Sequence, residues 1–240
     1  MKFSKALLYL AILTVIAFAV SGYGYRWEVW SLGTAFTILT YSTYSAIAIV
    51  AVSLLSFLFL RKKGAKVITT LSVAFVLTAV AATTALYWQQ RAQSVPPIHD
   101  ITTDIQNPPE FSAMVRLRAD APNPPEYAGE ETAEQQREAY PDLEPLVVDD
   151  SLQVAMDEAV RLVLDHGWQI VAVNRKEGRM EATETLPWFG FKDDVVLRFT
   201  ETRQGTRIDM RSKSRVGRSD VGVNAKRIER FLDDLEMRLE

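Results

Sequence analysis

Three stretches of this 240-residue chain, 6–20, 33–60 and 67–88, are apolar and contain no Asp, Glu, Lys, Arg or His. A helix needs about 20 such residues to cross the hydrocarbon core, where backbone groups find no water to bond. The second and third stretches meet that length. The first is shorter. With Lys2 and Lys5 before it and Ser21-Gly22 after it, it also fits a signal peptide that would be cleaved. We take it as an uncleaved helix, which gives a transmembrane region over 1–93 with spans at about 5–21, 34–60 and 67–88. Tyr23, Tyr25, Trp27, Trp30, Tyr87 and Trp88 lie near the expected span ends, as interfacial aromatics do.

Basic residues set the orientation. Lys2 and Lys5 precede the first span, and Arg61, Lys62, Lys63 and Lys66 fill the turn between the second and third. Both segments belong on the cytoplasmic side by the positive-inside rule. Everything after Arg91 is then expected in the periplasm, anchored to the inner membrane by a multi-pass region. Cleavage of the first segment would leave this topology unchanged. Hydroxyl residues within the spans, among them Ser42, Ser53, Ser56 and Thr78, are expected at close helix contacts.

The net charge of −3 hides two unlike halves. Residues 1–93 carry eight basic residues and one acid, a balance of +7, and 94–240 carry nineteen basic and twenty-nine acidic residues, a balance of −10. An acidic soluble half repels phosphate backbones and argues against nucleic acid as a partner. The partners expected are the lipid bilayer and an envelope protein or an anionic lipid or glycan. With no cysteine there is no disulfide framework or thiolate chemistry, and no zinc-spaced histidine pair or Gly-rich phosphate loop occurs. No metal or cofactor is expected.

Residues 94–148 are expected to be an extended, acidic segment packing on the domain that follows, with 119–140 its most mobile part; nine prolines fall within 94–145. From 149 to 240 the pattern becomes regular. Ser151 or a neighbouring Asp caps a helix bearing Leu152, Met156, Ala159, Val160 and Val163, which Gly167 ends. Strands are predicted at 168–173, 180–185, 195–202 and 207–216, followed by a helix from about Asn224. The fold class is therefore α+β: a three-helix transmembrane bundle, then a two-layer domain of a four-stranded antiparallel sheet covered by two helices.

Three sets of residues are candidates for chemistry. Arg207, Asp209, Arg211, Lys213 and Arg215 alternate with smaller residues, which places them on one face of a strand. With Arg218 and Asn224 they could hold an anion or a partner, since Arg forks match carboxylates and phosphates. The plainer reading is a solvated face paired with Asp193, Asp194, Glu181 or the acidic segment. If Arg211 binds a ligand, its removal should cost function but little stability. His99, Asp100 and Asp104 form the second set, as acid–base residues or a hard-cation site; the plainer role for His99 is pinning a loop. Trp188, Phe189 and Phe191 form the third, either a contact surface or a flap that closes the open side of the sheet.

The run Pro97-Ile98-His99-Asp100-Ile101-Thr102-Thr103-Asp104, then Gly167-Trp168, Glu181 to Thr185, Phe191 to Asp194 and Asp209 to Asp220 with Asn224 to Ile228, resembles domain-of-unknown-function family 1499 over about 95–239. The resemblance implies an envelope or membrane-attached protein and implies no activity. On these grounds the leading expectation is a membrane-anchored periplasmic binding or assembly module. The alternative is an enzyme acting on an envelope substrate through His99 and Asp100.

Overall fold

The computed structural model describes residues 2–240, the side chain of Arg61 excepted. The chain forms two compact units, one of residues up to Gln90 with Pro187–Gly190, the other of Arg91–Leu186 with Phe191–Glu240.

The first unit contains α1 (Lys2–Arg26), α2 (Leu32–Leu60) and all but the last turn of α3 (Ala65–Gln93), each with an 18-residue stretch of mean hydropathy 2.2, 2.2 and 1.9 respectively. At about 1.5 Å per residue each is long enough to span the roughly 30 Å hydrocarbon layer. Their contacts run along seams at three- and four-residue spacing: Leu7, Ala11, Thr14 and Phe18 on α1; Ser42, Ala46, Ile49 and Ser53 on α2; Leu71, Ala74, Thr78 and Ala81 on α3. Small residues let the backbones approach where lipid offers no hydrophobic drive to association. Thr78 Oγ1 donates to the Ala74 carbonyl at 2.8 Å and Ser42 Oγ to the Leu39 carbonyl at 3.0 Å, so these hydroxyls are satisfied within their own helices.

The second unit is an antiparallel sheet with α5 (Leu152–Asp165) and α6 (Val223–Leu239) on one face. The order is β1 (Asp100–Thr102), β6 (Gly205–Ser214), β5 (Lys192–Thr202), β4 (Arg179–Thr185), β3 (Gln169–Asn174), with β2 (Leu146–Val148) also paired to β6. The four expected strands are present, so the fold class is α+β, but the sheet has six. The two additional strands are three residues long and come from the proline-rich stretch. Three residues are too few to show a period of two, and pairing with β6 is what defines them. Within 119–140, which proline content suggested would be irregular, Glu130–Ala139 forms α4.

Ser151 caps α5 by accepting from the Val154 amide, and α5 and α6 bury Met156, Leu162, Ile228, Phe231 and Leu235 against Val195, Leu197, Phe199, Ile208 and Met210. Burying such a side chain stabilises the fold by roughly 1.5–3 kcal/mol. Gly205 turns β5 into β6 at φ +116°, and a Cβ there would lie 2.1 Å from the Val148 carbonyl oxygen, so the hairpin also admits β2 only because the residue is glycine.

The opposite face is covered too. Residues 103–128, including a short 3₁₀ helix at Ala113–Arg118, lie over it, and Phe111 and Met114 pack on Val196. The expected two-layer domain is therefore closed on both sides of its central strands.

Candidate functional site

The alternation along β6 does put Arg207, Asp209, Arg211 and Lys213 on one face, with Ile208, Met210 and Ser212 on the other. From Asp209 to Lys213 that charged face is buried rather than solvated, while the Arg207 side chain at its edge is partly exposed. Arg211 and Lys213 are each 1% exposed. Antiparallel pairing brings Asp100 opposite Lys213 and Thr102 opposite Arg211 on β1, and Asp194 opposite Lys213 on β5.

Arg211 grips Asp100 with two bonds, Nε to Oδ1 at 2.8 Å and Nη2 to Oδ2 at 2.9 Å. Its other donors reach the carbonyls of Pro109 and Pro125, both at 3.1 Å. The guanidinium lies over the rings of Phe111 and Tyr127 at 4.9 and 5.4 Å, so the covering segment supplies both its acceptors and its aromatic walls. Lys213 Nζ is 3.0 Å from Asp100 Oδ2 and donates to the Glu126 carbonyl. Burial pulls the Lys213 ammonium below its usual range, and Asp100 opposes that shift.

Beside this group is a second one centred on Asp194, which is fully buried. Arg118 Nη1 donates to Oδ2 at 2.7 Å; Arg215 donates through Nε at 2.8 Å and Nη2 at 2.9 Å; Thr183 Oγ1 donates at 2.7 Å. Arg118 also reaches the carbonyls of Asn123, Lys213 and Ser214. Burial lowers its pKa, with Asp194 acting against the shift. Four cations thus meet two carboxylates in the middle of this face, and main-chain carbonyls supply the remaining acceptors. Farther along, Asp209 and Asp104 share Arg198 and Arg207. Glu181 accepts from the amides of Ser112, Ala113 and Met114, at 3.0, 3.0 and 2.8 Å, where the 3₁₀ helix begins.

A third group occupies the helix side. Asp193, adjacent to Asp194, points the other way and binds Arg227 of α6 at 2.5 Å, and Arg227 also pairs with Glu184. Burial works against the Arg227 charge, but Asp193 and Glu184 outweigh it and raise its pKa. Asn224, fully buried, joins Ser212, Ser214 and the His99 carbonyl. Asp220 accepts from the amides of Gly222 and Asn224 at the start of α6, and its own burial raises its pKa.

His99 and Asp100 are not brought together as an acid–base pair. The Asp100 oxygens are taken by Arg211, Lys213 and the Ala128 amide, whereas the His99 ring contacts the Arg218 carbonyl at 3.3 Å. Burial lowers the His99 pKa. Asp104 folds back onto the amides of Gln106 and Asn107 and does not meet Asp100. Trp188 and Phe189 belong to the first unit and do not close the sheet. Trp188 Nε1 donates to the Ala19 carbonyl at 2.8 Å, and Phe189 stacks on Phe36 with centroids 5.5 Å apart. A Cβ at Gly22 would lie 2.6 Å from the Trp188 ring, so the indole needs glycine beneath it. Phe191 lies in the second unit. Of the basic set, Arg218 is exposed.

Arg118 was missed by sequence reasoning, although it holds the centre of the Asp194 group. It stands in an irregular stretch with no periodicity to mark it, and only the fold brings it to β5.

The model of a protein of unknown function, DUF1499, matches residues 100–235, from the first residue of β1 to the last buried leucine of α6. The chain belongs to the DUF1499 family. No curated protein and no solved structure matches it. The DUF1499 segment contains all three charged groups, while α1, α2 and α3 lie ahead of it.

Proposed function

We propose that this DUF1499 protein is a multi-pass inner-membrane protein that displays its α+β unit in the periplasm as a binding or assembly module. Three apolar helices and the placement of Lys2, Lys5 and residues 61–66 support the topology. The observation that carries the module reading is the engagement of Asp100, Arg211, Lys213, Asp194, Arg215, Asp193 and Arg227 in internal ion pairs. Charges so engaged fix a fold and leave recognition to the surface.

The surface that fits an anionic envelope component is the end of the sheet where β5 begins, β6 ends and α6 begins. Lys192, Arg218 and Lys226 are exposed there. Arg218 is the member of the original basic set that points to a partner; Arg211 and Lys213 support the framework behind it. The enzyme reading draws less support, because the carboxylate it would assign to His99 is held by Arg211 and Lys213.

The chain has no cysteine, so Glu229→Cys creates a single thiol on α6, one turn beyond Lys226. A membrane-impermeant maleimide bearing a photo-crosslinker should label it in cells with a permeabilised outer membrane, and illumination should capture an anionic envelope component. Capture should fall when Lys192 and Lys226 become Glu. A thiol protected until the inner membrane is opened contradicts the topology. Labelling without charge-dependent capture contradicts the binding role.

A further inference from the structure

At the end of the first unit that carries Lys2, Lys5, Lys62, Lys63 and Lys66, the helices leave a groove of about 500 Å³. Phe3 of α1, Val52, Leu55 and Phe59 of α2, and Val67 of α3 form an apolar wall, and Lys63 stands at the rim. Leu55 and Phe59 are 57% and 78% exposed, so this wall faces the surroundings of the bundle. The one acid of residues 1–93, Glu28, lies in the α1–α2 connection at the opposite end.

We infer that this groove seats one acyl chain of an anionic phospholipid whose phosphate is held by Lys63. The groove falls within the roughly 300–1,000 Å³ range of sites that enclose small ligands. Its lining is apolar apart from Ser56 and is cationic at one end, where Lys63 stands, the same order of chemistry as a phospholipid read from tail to headgroup. A lysine ammonium on a flexible stem acts as a point charge for phosphate. The neighbouring lysines add attraction for an anionic headgroup, and basic pockets between membrane helices are known to take such lipids. A zwitterionic headgroup would fill the same apolar wall but gain less from Lys63. The inference is independent of the binding role proposed for the second unit, since none of its residues lies there.

Native mass spectrometry of the full chain, released from detergent micelles with equal phosphatidylglycerol and phosphatidylethanolamine, tests this. The parent chain should retain phosphatidylglycerol about fivefold over phosphatidylethanolamine, the ratio one lysine near an anionic headgroup provides. Lys63→Glu, a change at an exposed position, should erase that preference. Val52→Trp, which fills the groove, should lower retention of both lipids. Equal retention by the parent chain, or a preference that survives Lys63→Glu, overturns the headgroup assignment. Retention unchanged in Val52→Trp overturns the groove as the seat, and if that variant does not fold, the Lys63→Glu comparison still decides.

Discussion

Arg118 engages four acceptors through its two terminal nitrogens, yet its Nε, like the hydroxyl of Tyr127, is buried with no hydrogen-bond partner among the described residues. Both residues belong to the segment that closes the charged face. For Tyr127 this has a consequence for pH. Burial, with Asp100 adding to it, raises the phenol from 10 to about 12, because a phenolate there would lose water and face a carboxylate. A pKa raised in the folded state favours folding below the unfolded value and loses that contribution as pH rises through the folded one. Stability should therefore fall between pH 10 and about 12, and Tyr127→Phe should flatten that limb of the curve. Phenolate absorbance together with unfolding midpoints across this range checks it; an unchanged limb in Tyr127→Phe contradicts it.

Among the elements, those with a long period were readable beforehand and those defined by pairing were not. Leu152, Met156, Ala159 and Val163 mark α5 by their spacing, and Val195, Leu197 and Phe199 mark β5. β1 and β2 carry no such mark, and prolines around them argue against regular structure. The same limit hid the site. Alternation correctly sorts Arg211 and Lys213 onto one face of β6, but says nothing about what lies over that face. The cover is recognisable only once Phe111, Met114 and Arg118 are seen against Val196 and Asp194. Glu181 ties this cover to β4 by accepting three amides at the start of its 3₁₀ helix. Glu181→Gln keeps the shape but loses charge and one acceptor. Hydrogen exchange of the Ser112, Ala113 and Met114 amides should then quicken, while the amides of α5 stay protected. Equal protection in parent and variant would show that another contact holds the cover.

At the scale of the whole molecule, an apolar three-helix unit accompanies a sheet unit that buries ion pairs on both faces of its central strands. Asp193 and Asp194 summarise the design: adjacent on β5, one ties down α6 through Arg227 and the other ties down the cover through Arg118 and Arg215. An arginine buried against a carboxylate and an arginine on the surface differ sharply in what their loss does. Removing Arg211 takes the bidentate partner from Asp100, leaving it to Lys213 and the Ala128 amide, and deprives the Pro109 and Pro125 carbonyls of their donor. The combined cost is roughly 3–5 kcal/mol, whereas an exposed charge is worth about 0–1 kcal/mol. This reverses the small stability effect that an exposed basic strand would predict. The most direct measurement is the unfolding free energy of the sheet unit within the full chain, by hydrogen exchange of its slowest amides, for Arg211→Ala and Arg218→Ala. Internal pairing predicts a loss of about 3–5 kcal/mol for Arg211→Ala and about 0.5 kcal/mol or less for Arg218→Ala. An Arg211→Ala chain as stable as its parent would contradict it and return Arg211 to the candidates for a ligand.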